Sequence, residues 1–360
     1  MHLWFDISFH GYGHLSQAAE VINAYAIRHP DLRLTVKCAA PREVIARRIR
    51  VAFTHIPLAS DVTMAMTSAL EVDAEASARS YQTFHRHWER HVAEYAALLQ
   101  DAAPDMVLAN VAYLPLAAAR HAGIPAAGLC SLNWADIYAH YCGARPEAAE
   151  ILSEMRAAYA GADRFIRLEP AMPMSDLPNL IAVAPVARRG QPDRARINSQ
   201  LGLGADQRLV LVNMGGMHFR PPMESWPRLP GVKWLVQQDW GVQHVDAHAL
   251  EALEMDFTDV LASCDAVLGK PGYGLFTEAA VNDVPLLYVR RVDWPEEPYL
   301  VDWLGRHGRC LEVSAAAIAS GELASDLAAL WAQPSTPPVC SNGAQQVVNI
   351  VTAILRNPDS

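Results

Sequence analysis

The chain has 360 residues, enough for two domains at roughly 150 residues each. Apolar residues make up 51% and charged residues 19%, which excludes a disordered or low-complexity chain. Lys and Arg number 29 against 39 Asp and Glu, a formal charge of −10, the wrong balance for a protein that neutralises a nucleic-acid polymer. A single anionic ligand stays possible, because backbone amides can hold it without net positive charge.

In chain order, the stretch from Met1 to Asp6 has no basic region and meets an acid at Asp6, so it does not read as a secretory signal. His2 to Phe9 reads as a buried strand, halted at His10-Gly11-Tyr12-Gly13-His14, after which Leu15 to Ile27 has helical spacing. Leu32 to Cys38 is a second strand, and Pro41 opens a helix as a first-turn proline. Residues 62–100 contain no glycine or proline and predict one or two inserted helices. Asp105 to Ala109 and Ile124 to Leu129 are further strands, each followed by a helix. The prolines at 170, 173, 178 and 185 and the polar run Arg188-Arg189-Gly190-Gln191-Pro192 predict a domain boundary. Strands then restart at Arg208–Asn213, Val232–Gln237, Ala266–Gly269, Leu286–Arg290 and Cys310–Val313, with a helix at Phe276–Val281 and a last helix at Ala344–Leu355. Strict alternation of strand and helix implies right-handed crossovers and parallel sheets. The expected organisation is α/β, with domains at 1–185 and 186–340 and a C-terminal helix in 341–360.

No apolar run approaches the ~18 residues of a membrane span. The six cysteines form no C-x-x-C pair and no close His/Cys cluster, so they read as buried thiols of a reducing, cytoplasmic protein.

Two glycine turns carry the chemical signal. In the first, Gly11 and Gly13 begin a G-x-G-x-x-G pattern that Ser16 breaks, and the second strand ends at Cys38-Ala39-Ala40 where a ribose-binding acid belongs. Both departures count against a dinucleotide site. The turn instead carries His10 and His14 on its flanks, either of which can act as a general base near neutral pH or serve as a hydrogen-bonded structural group. The second turn, Gly269-Lys270-Pro271-Gly272-Tyr273-Gly274, lacks the Walker pattern but places small backbone at a helix start, as a diphosphate requires. Glu278, one turn into that helix, reads either as a ribose-binding carboxylate or as plain helix-surface charge.

Residues 273–289 (YGLFTEAAVNDVPLLYV) resemble the nucleotide-sugar motif of GT-B glycosyltransferases, with Asn282-Asp283 where a glycine is usual, a mild departure. The resemblance extends to the glycosyltransferase-like N-terminal domain of L-arabinokinases. It runs through the 10–14 turn, Asn133-Trp134-Ala135-Asp136-Ile137-Tyr138, residues 164–168 with 172–174, Asn213-Met214-Gly215-Gly216, 262–274, Arg290-Arg291 and Glu296-Glu297-Pro298. The sugar-kinase domain that follows in arabinokinases has no counterpart in these 360 residues, so only the glycosyltransferase part is carried over.

The resemblance implies a GT-B fold, two Rossmann-like domains facing across a cleft, with the C-terminal helix packing back on the N-terminal domain. It implies transfer of a sugar from a nucleotide-diphosphate sugar, UDP first among candidates, to a small-molecule or lipid-linked hydroxyl acceptor. His14 is the implied base with His10 as its competitor, beside the turn of Gly11 and Gly13. Gly215, Gly216, Gly272, Tyr273, Gly274 and Thr277 are implied at the diphosphate, Glu278 at the ribose, and Glu296 and Glu297 at the donor sugar. Lys270 and Arg291 enter on physical grounds alone, as cations beside the leaving diphosphate. Without a D-x-D motif no metal is expected, nor any cofactor beyond the donor as co-substrate. His85, His87 and His91 fall in one predicted helix, but no glutamate follows His87, so a zinc site is discounted. Trp134 and Tyr138, four residues apart, pack in the core or stack on an acceptor. A nucleotide-sugar epimerase or hydrolase of the same shape, and a regulatory module that binds without turnover, are the alternatives.

Overall fold

A computed structural model describes residues 1–9, 11–68, 71–215, 220–291 and 293–356. The chain divides into two units. One comprises Met1–Thr67, Glu71–Val186 and Asn342–Ser360, the other Ser68–Leu70 and Ala187–Ser341.

The first unit is built on a seven-stranded sheet of β1 (His2–Ile7), β2 (Arg33–Lys37), β3 (Thr54–Ile56), β6 (Met106–Asn110), β7 (Ala126–Cys130), β8 (Arg164–Leu168) and β9 (Leu180–Val183); β4 (Met66–Ser68) and β5 (Glu71–Val72) form a separate two-stranded pair. Its order is β3-β2-β1-β6-β7-β8-β9, with parallel pairing throughout. Strands β1, β6 and β7 are buried at every residue, so helices cover both faces of the sheet centre. Those helices are α1 (Tyr12–Arg28), α2 (Arg42–Ala46), α3 (Ala74–His85), α4 (Trp88–Ala102), α5 (Leu114–Ala122), α6 (Trp134–Cys142) and α7 (Ala148–Ala160). In α1 the buried Leu15, Ala18, Ala19, Ile22 and Tyr25 repeat at three- and four-residue spacing, as one covered helix face demands.

The second unit holds α8 (Arg194–Leu201), β10 (Arg208–Asn213), β11 (Val232–Val236), β12 (Ala247–Ala249), α9 (Phe257–Ala262), β13 (Ala266–Gly269), α10 (Tyr273–Val281), β14 (Leu286–Tyr288), α11 (Glu297–His307), β15 (Cys310–Glu312), α12 (Ala315–Ser320) and α13 (Ala324–Trp331). Its six strands pair in parallel in the order β12-β11-β10-β13-β14-β15. Trp226 and Trp234 meet edge to face at 5.0 Å in its core. The last helix, α14 (Gly343–Arg356), returns to the first unit, where Arg28 of α1 donates to Asn349 at 2.6 Å and Gln346 accepts the Ala184 N–H at 2.7 Å. This is the packing expected for the C-terminal helix.

Three local expectations are corrected. Residues 62–100 are not helical from their start: the short pair β4–β5 comes first, and helix begins only where the Asp73 carboxylate caps the Ala76 N–H at 2.8 Å. A break follows at Arg86 and His87, so His85 ends α3 while His87 caps α4, and the three histidines do not share one helix. Pro41 is the residue before α2 and not its first.

Candidate functional site

In each sheet the chain order reverses once beside the founding strand. From β1 the chain runs out to β2 and β3, then crosses back to β6; from β10 it runs out to β11 and β12, then crosses back to β13. The carboxyl ends of the two strands at such a reversal are splayed by their diverging connections, and ligands of open α/β sheets bind there. The end pairs are Ile7 beside Asn110 and Asn213 beside Gly269. Every described residue expected at the base, the diphosphate, the ribose or the donor sugar lies on a segment that leaves one of these reversals or the adjoining strand β14.

In the first unit, Gly11 precedes α1 with φ of 103°, a backbone that side chains with a Cβ rarely adopt, and no side chain caps the helix. Tyr12 is exposed, with its ring edge on Phe9 at 6.3 Å, and a Cβ at Gly13 would meet nothing. His14, three residues past the cap, is 8% exposed. Its Nδ1 lies 2.9 Å from the Asn110 side-chain oxygen at the end of β6, and its ring meets Trp134 of α6 edge to face at 5.7 Å. Burial draws the His14 imidazolium down to about 4, with the Asn110 hydrogen bond pulling the other way, so the ring is neutral near pH 7. Among the described residues its Nε2 takes no hydrogen bond. On the other side of Trp134, the indole N–H donates to Asp61 at 2.9 Å, and the Ser8 hydroxyl also donates to that carboxylate. Burial, with Asp6 nearby, raises Asp61 to about 6. His10 lies outside the described residues.

In the second unit, Gly215 has φ of 77°, and its N–H donates to the Asn213 side chain at 2.9 Å. A Cβ at Gly215 would sit 3.4 Å from Lys270 Cε and 3.9 Å from Nζ, so the glycine and the lysine share one spot, brought there by the pairing of β10 with β13. Gly216 lies outside the described residues. Lys270 is 6% exposed, and burial, reinforced by the Arg291 charge and opposed by Glu297, brings its ammonium down to about 6. Gly272 precedes α10, which opens with the buried Tyr273 and Gly274 and has no side-chain cap. The Thr277 hydroxyl donates back to the Tyr273 carbonyl at 2.8 Å, which ties it to its own helix.

Glu278 is 4% exposed and accepts from Thr258 of α9 at 3.3 Å, which removes the reading of it as surface charge. Beyond β14, Arg291 lies over the Trp294 ring at 5.2 Å, Glu296 accepts from the Trp294 indole at 3.2 Å, and Glu297 accepts the Arg291 N–H at 2.9 Å. Glu297 thus closes its own loop.

Sequence reasoning missed Asn110, Gln17 and Asp61. Asn110 had a visible signal, a polar residue ending the buried run Met106-Val107-Leu108-Ala109. Gln17 sits among the buried residues of α1, and Asp61 lies in a loop with no periodicity, so neither stood out. Trp134 and Tyr138 are both fully buried, but Trp134 also joins His14 to Asp61. Among the described residues no group of three His, Cys, Asp or Glu side chains is disposed to hold a metal ion. None of the described helices is long and apolar enough to cross a membrane.

No family model matches the chain. L-arabinokinase of Arabidopsis thaliana is 27% identical over 308 residues, which cover 83% of this chain and 29% of that protein. The chain therefore corresponds to less than a third of that relative's length. Solved structures that it resembles include the calicheamicin glycosyltransferase CalG4 (TM-score 0.60, 15% identity, 100% of this chain and 99% of that one). UGT89C1 of Arabidopsis thaliana is similar at TM-score 0.61 and 14% identity, over 98% and 99% of the two chains. The glycosyltransferase VinC, solved in complex with DTDP, is similar at TM-score 0.56 and 16% identity, over 99% of each chain. These likenesses establish the GT-B glycosyltransferase fold.

Proposed function

We propose that the protein is a glycosyltransferase that moves a sugar from a nucleotide-diphosphate sugar, UDP-linked in the first instance, to a hydroxyl of a small-molecule or lipid-linked acceptor. One observation carries this reading: the buried neutral His14 and the buried Lys270 each sit at the reversal point of their own parallel sheet. The acceptor O–H gives its proton to His14 Nε2 as the oxygen attacks the anomeric carbon. The bond from that carbon to the diphosphate oxygen breaks with its electron pair, and the configuration inverts. The first-turn amides of α10 and the Lys270 ammonium stabilise the charge as it develops. Glu278 holds the ribose hydroxyls, and Glu296 lies toward the donor sugar. Arg291 supports the diphosphate charge, and no metal takes part.

The DTDP complex of VinC supports a pyrimidine nucleoside diphosphate as one donor class to try first. The free, mostly buried cysteines support a reducing, cytoplasmic setting.

The test is incubation with UDP-, GDP- and TDP-sugars, with and without an acceptor panel and with EDTA. Acceptor-dependent nucleotide release that EDTA leaves intact supports the proposal. Release or isomerisation without acceptor would make the protein an epimerase or hydrolase. Tight nucleotide binding with no chemistry would make it a regulatory module.

A further inference from the structure

A histidine can serve as a base only if the ring nitrogen facing the substrate lacks a proton, and at His14 buried neutral groups settle which nitrogen that is. We propose that Asn110, Gln17 and the Cys130 thiol form a polarised relay that holds His14 in its Nδ1–H tautomer and leaves Nε2 as the proton acceptor. The inference rests on the base assigned to His14 above and gives roles to three residues outside that assignment.

The relay is continuous. Gln17 stands one turn along α1 from His14, on the same side of the helix. Asn110 Nδ2 donates to Gln17 Oε1 at 2.8 Å, which turns the Asn110 oxygen toward His14 Nδ1 at 2.9 Å. An oxygen there can only accept, so the proton resides on Nδ1. Gln17 Nε2 in turn donates to the Ser131 hydroxyl at 2.9 Å.

Two amides in series can also be turned over together. The reversed chain would aim Asn110 Nδ2 at His14 Nδ1 and force the proton onto Nε2, abolishing the base. Ser131 does not decide between the two, because a hydroxyl donates or accepts equally well. Cys130 does. Its Sγ lies 3.4 Å from Gln17 Oε1, where the thiol donates to the oxygen; reversal would instead leave the Gln17 N–H facing sulfur, a weak acceptor. The thiol is a weak donor, yet in a buried site an amide N–H left without a good acceptor costs more than the weak bond gains.

The relay also sets the charge. Among the described residues, the side chains facing His14 from α1, β6, β7 and α6 are Gln17, Asn110, Cys130 and Trp134, all neutral, and the link to Asp61 runs through the Trp134 indole. An amide fixes the ring without supplying the negative charge that would favour an imidazolium. The histidine is therefore held as a neutral base far into the acid range, in keeping with the depression that burial produces.

Nitrogen-15 NMR of the full chain labelled at histidine reads both features without any substrate. The expected result at pH 7 is a protonated Nδ1 and a bare Nε2 at His14, titrating well below 6. Asn110→Asp, nearly isosteric, should raise the midpoint by about one to three pH units. Cys130→Ala, and equally Cys130→Ser, whose hydroxyl accepts as readily as it donates, should populate the Nε2–H tautomer. A wild-type His14 protonated at Nε2, or titrating like a solvent-exposed histidine, overturns the relay. So does an Asn110→Asp variant that keeps its Tm and shows no shift. If the tautomer is as expected but no transfer activity exists, the relay stands and the glycosyltransferase reading falls.

Discussion

At the reversal point of the first sheet the groups that meet are neutral: an imidazole, two carboxamides, a thiol and an indole. At the corresponding point of the second sheet they are a lysine, an arginine and buried glutamates. Both follow a parallel strand and place a glycine before an uncapped helix, Gly11 with φ of 103° and Gly272 in extended backbone. What differs is the work that burial does. It lowers His14 to about 4, leaving a neutral imidazole, and it lowers Lys270 to about 6, leaving an amine whose charge a nearby anion would favour. One scaffold position can thus hold a neutral imidazole or a buried lysine, depending on which side chains the strand ends deliver.

The contrast can be broken in order of expected effect. His14→Ala should cut acceptor-dependent nucleotide release by about a hundred- to ten-thousandfold, while UDP affinity by calorimetry stays at the wild-type value. Loss of UDP binding in that variant would merge the two sites into one role. Lys270→Met should weaken UDP by about ten- to a hundredfold, the scale of a charged hydrogen bond, and leave the His14 NMR signals in place. Wild-type UDP affinity should also fall as pH rises through the Lys270 titration. Glu278→Ala should weaken UDP about tenfold and leave inorganic pyrophosphate binding unaffected, since only the nucleoside brings a ribose.

The smallest effect is on stability against pH. His14 and Lys270 are both held below their ordinary values of 6.5 and 10.5, so the unfolded chain binds more protons and stability rises with pH in each window. The His14 term is complete above about 6.5 and is lost as pH falls toward 4; the Lys270 term grows from about 6 to 10.5. Tm scans of Lys270→Met should lose the upper slope and keep the lower one.

Much of this was legible in the residues. The strand at Arg208–Asn213 and the one at Ala266–Gly269 were read to their ends, because buried parallel strands are short apolar runs bounded by turn residues. The glycine turns, His14, Lys270 and Glu278 were legible as candidates, since each breaks an apolar pattern at a strand end or a helix start. The start of the insert at residue 62 was not, because composition alone cannot tell an alanine-rich helix from the short pair β4–β5 preceding it. Asn110, Gln17, Cys130 and Asp61 were missed for a different reason. They matter through partners 96, 93, 113 and 73 residues away, and no local pattern records such pairs.

Two parallel α/β units, a net negative charge and the two glycine turns with their flanking His14 and Lys270 follow from the amino-acid order alone. Local spacing and composition suffice for these, because apolar period, glycine geometry and charge balance are properties of neighbouring residues. That Glu278 is buried, that Lys270 lies against Gly215, and that the neighbour of His14 is an amide emerge from the folded arrangement. These depend on strand order, which sets whose carboxyl ends adjoin, and on burial, which turns ordinary side chains into a neutral imidazole and a suppressed cation.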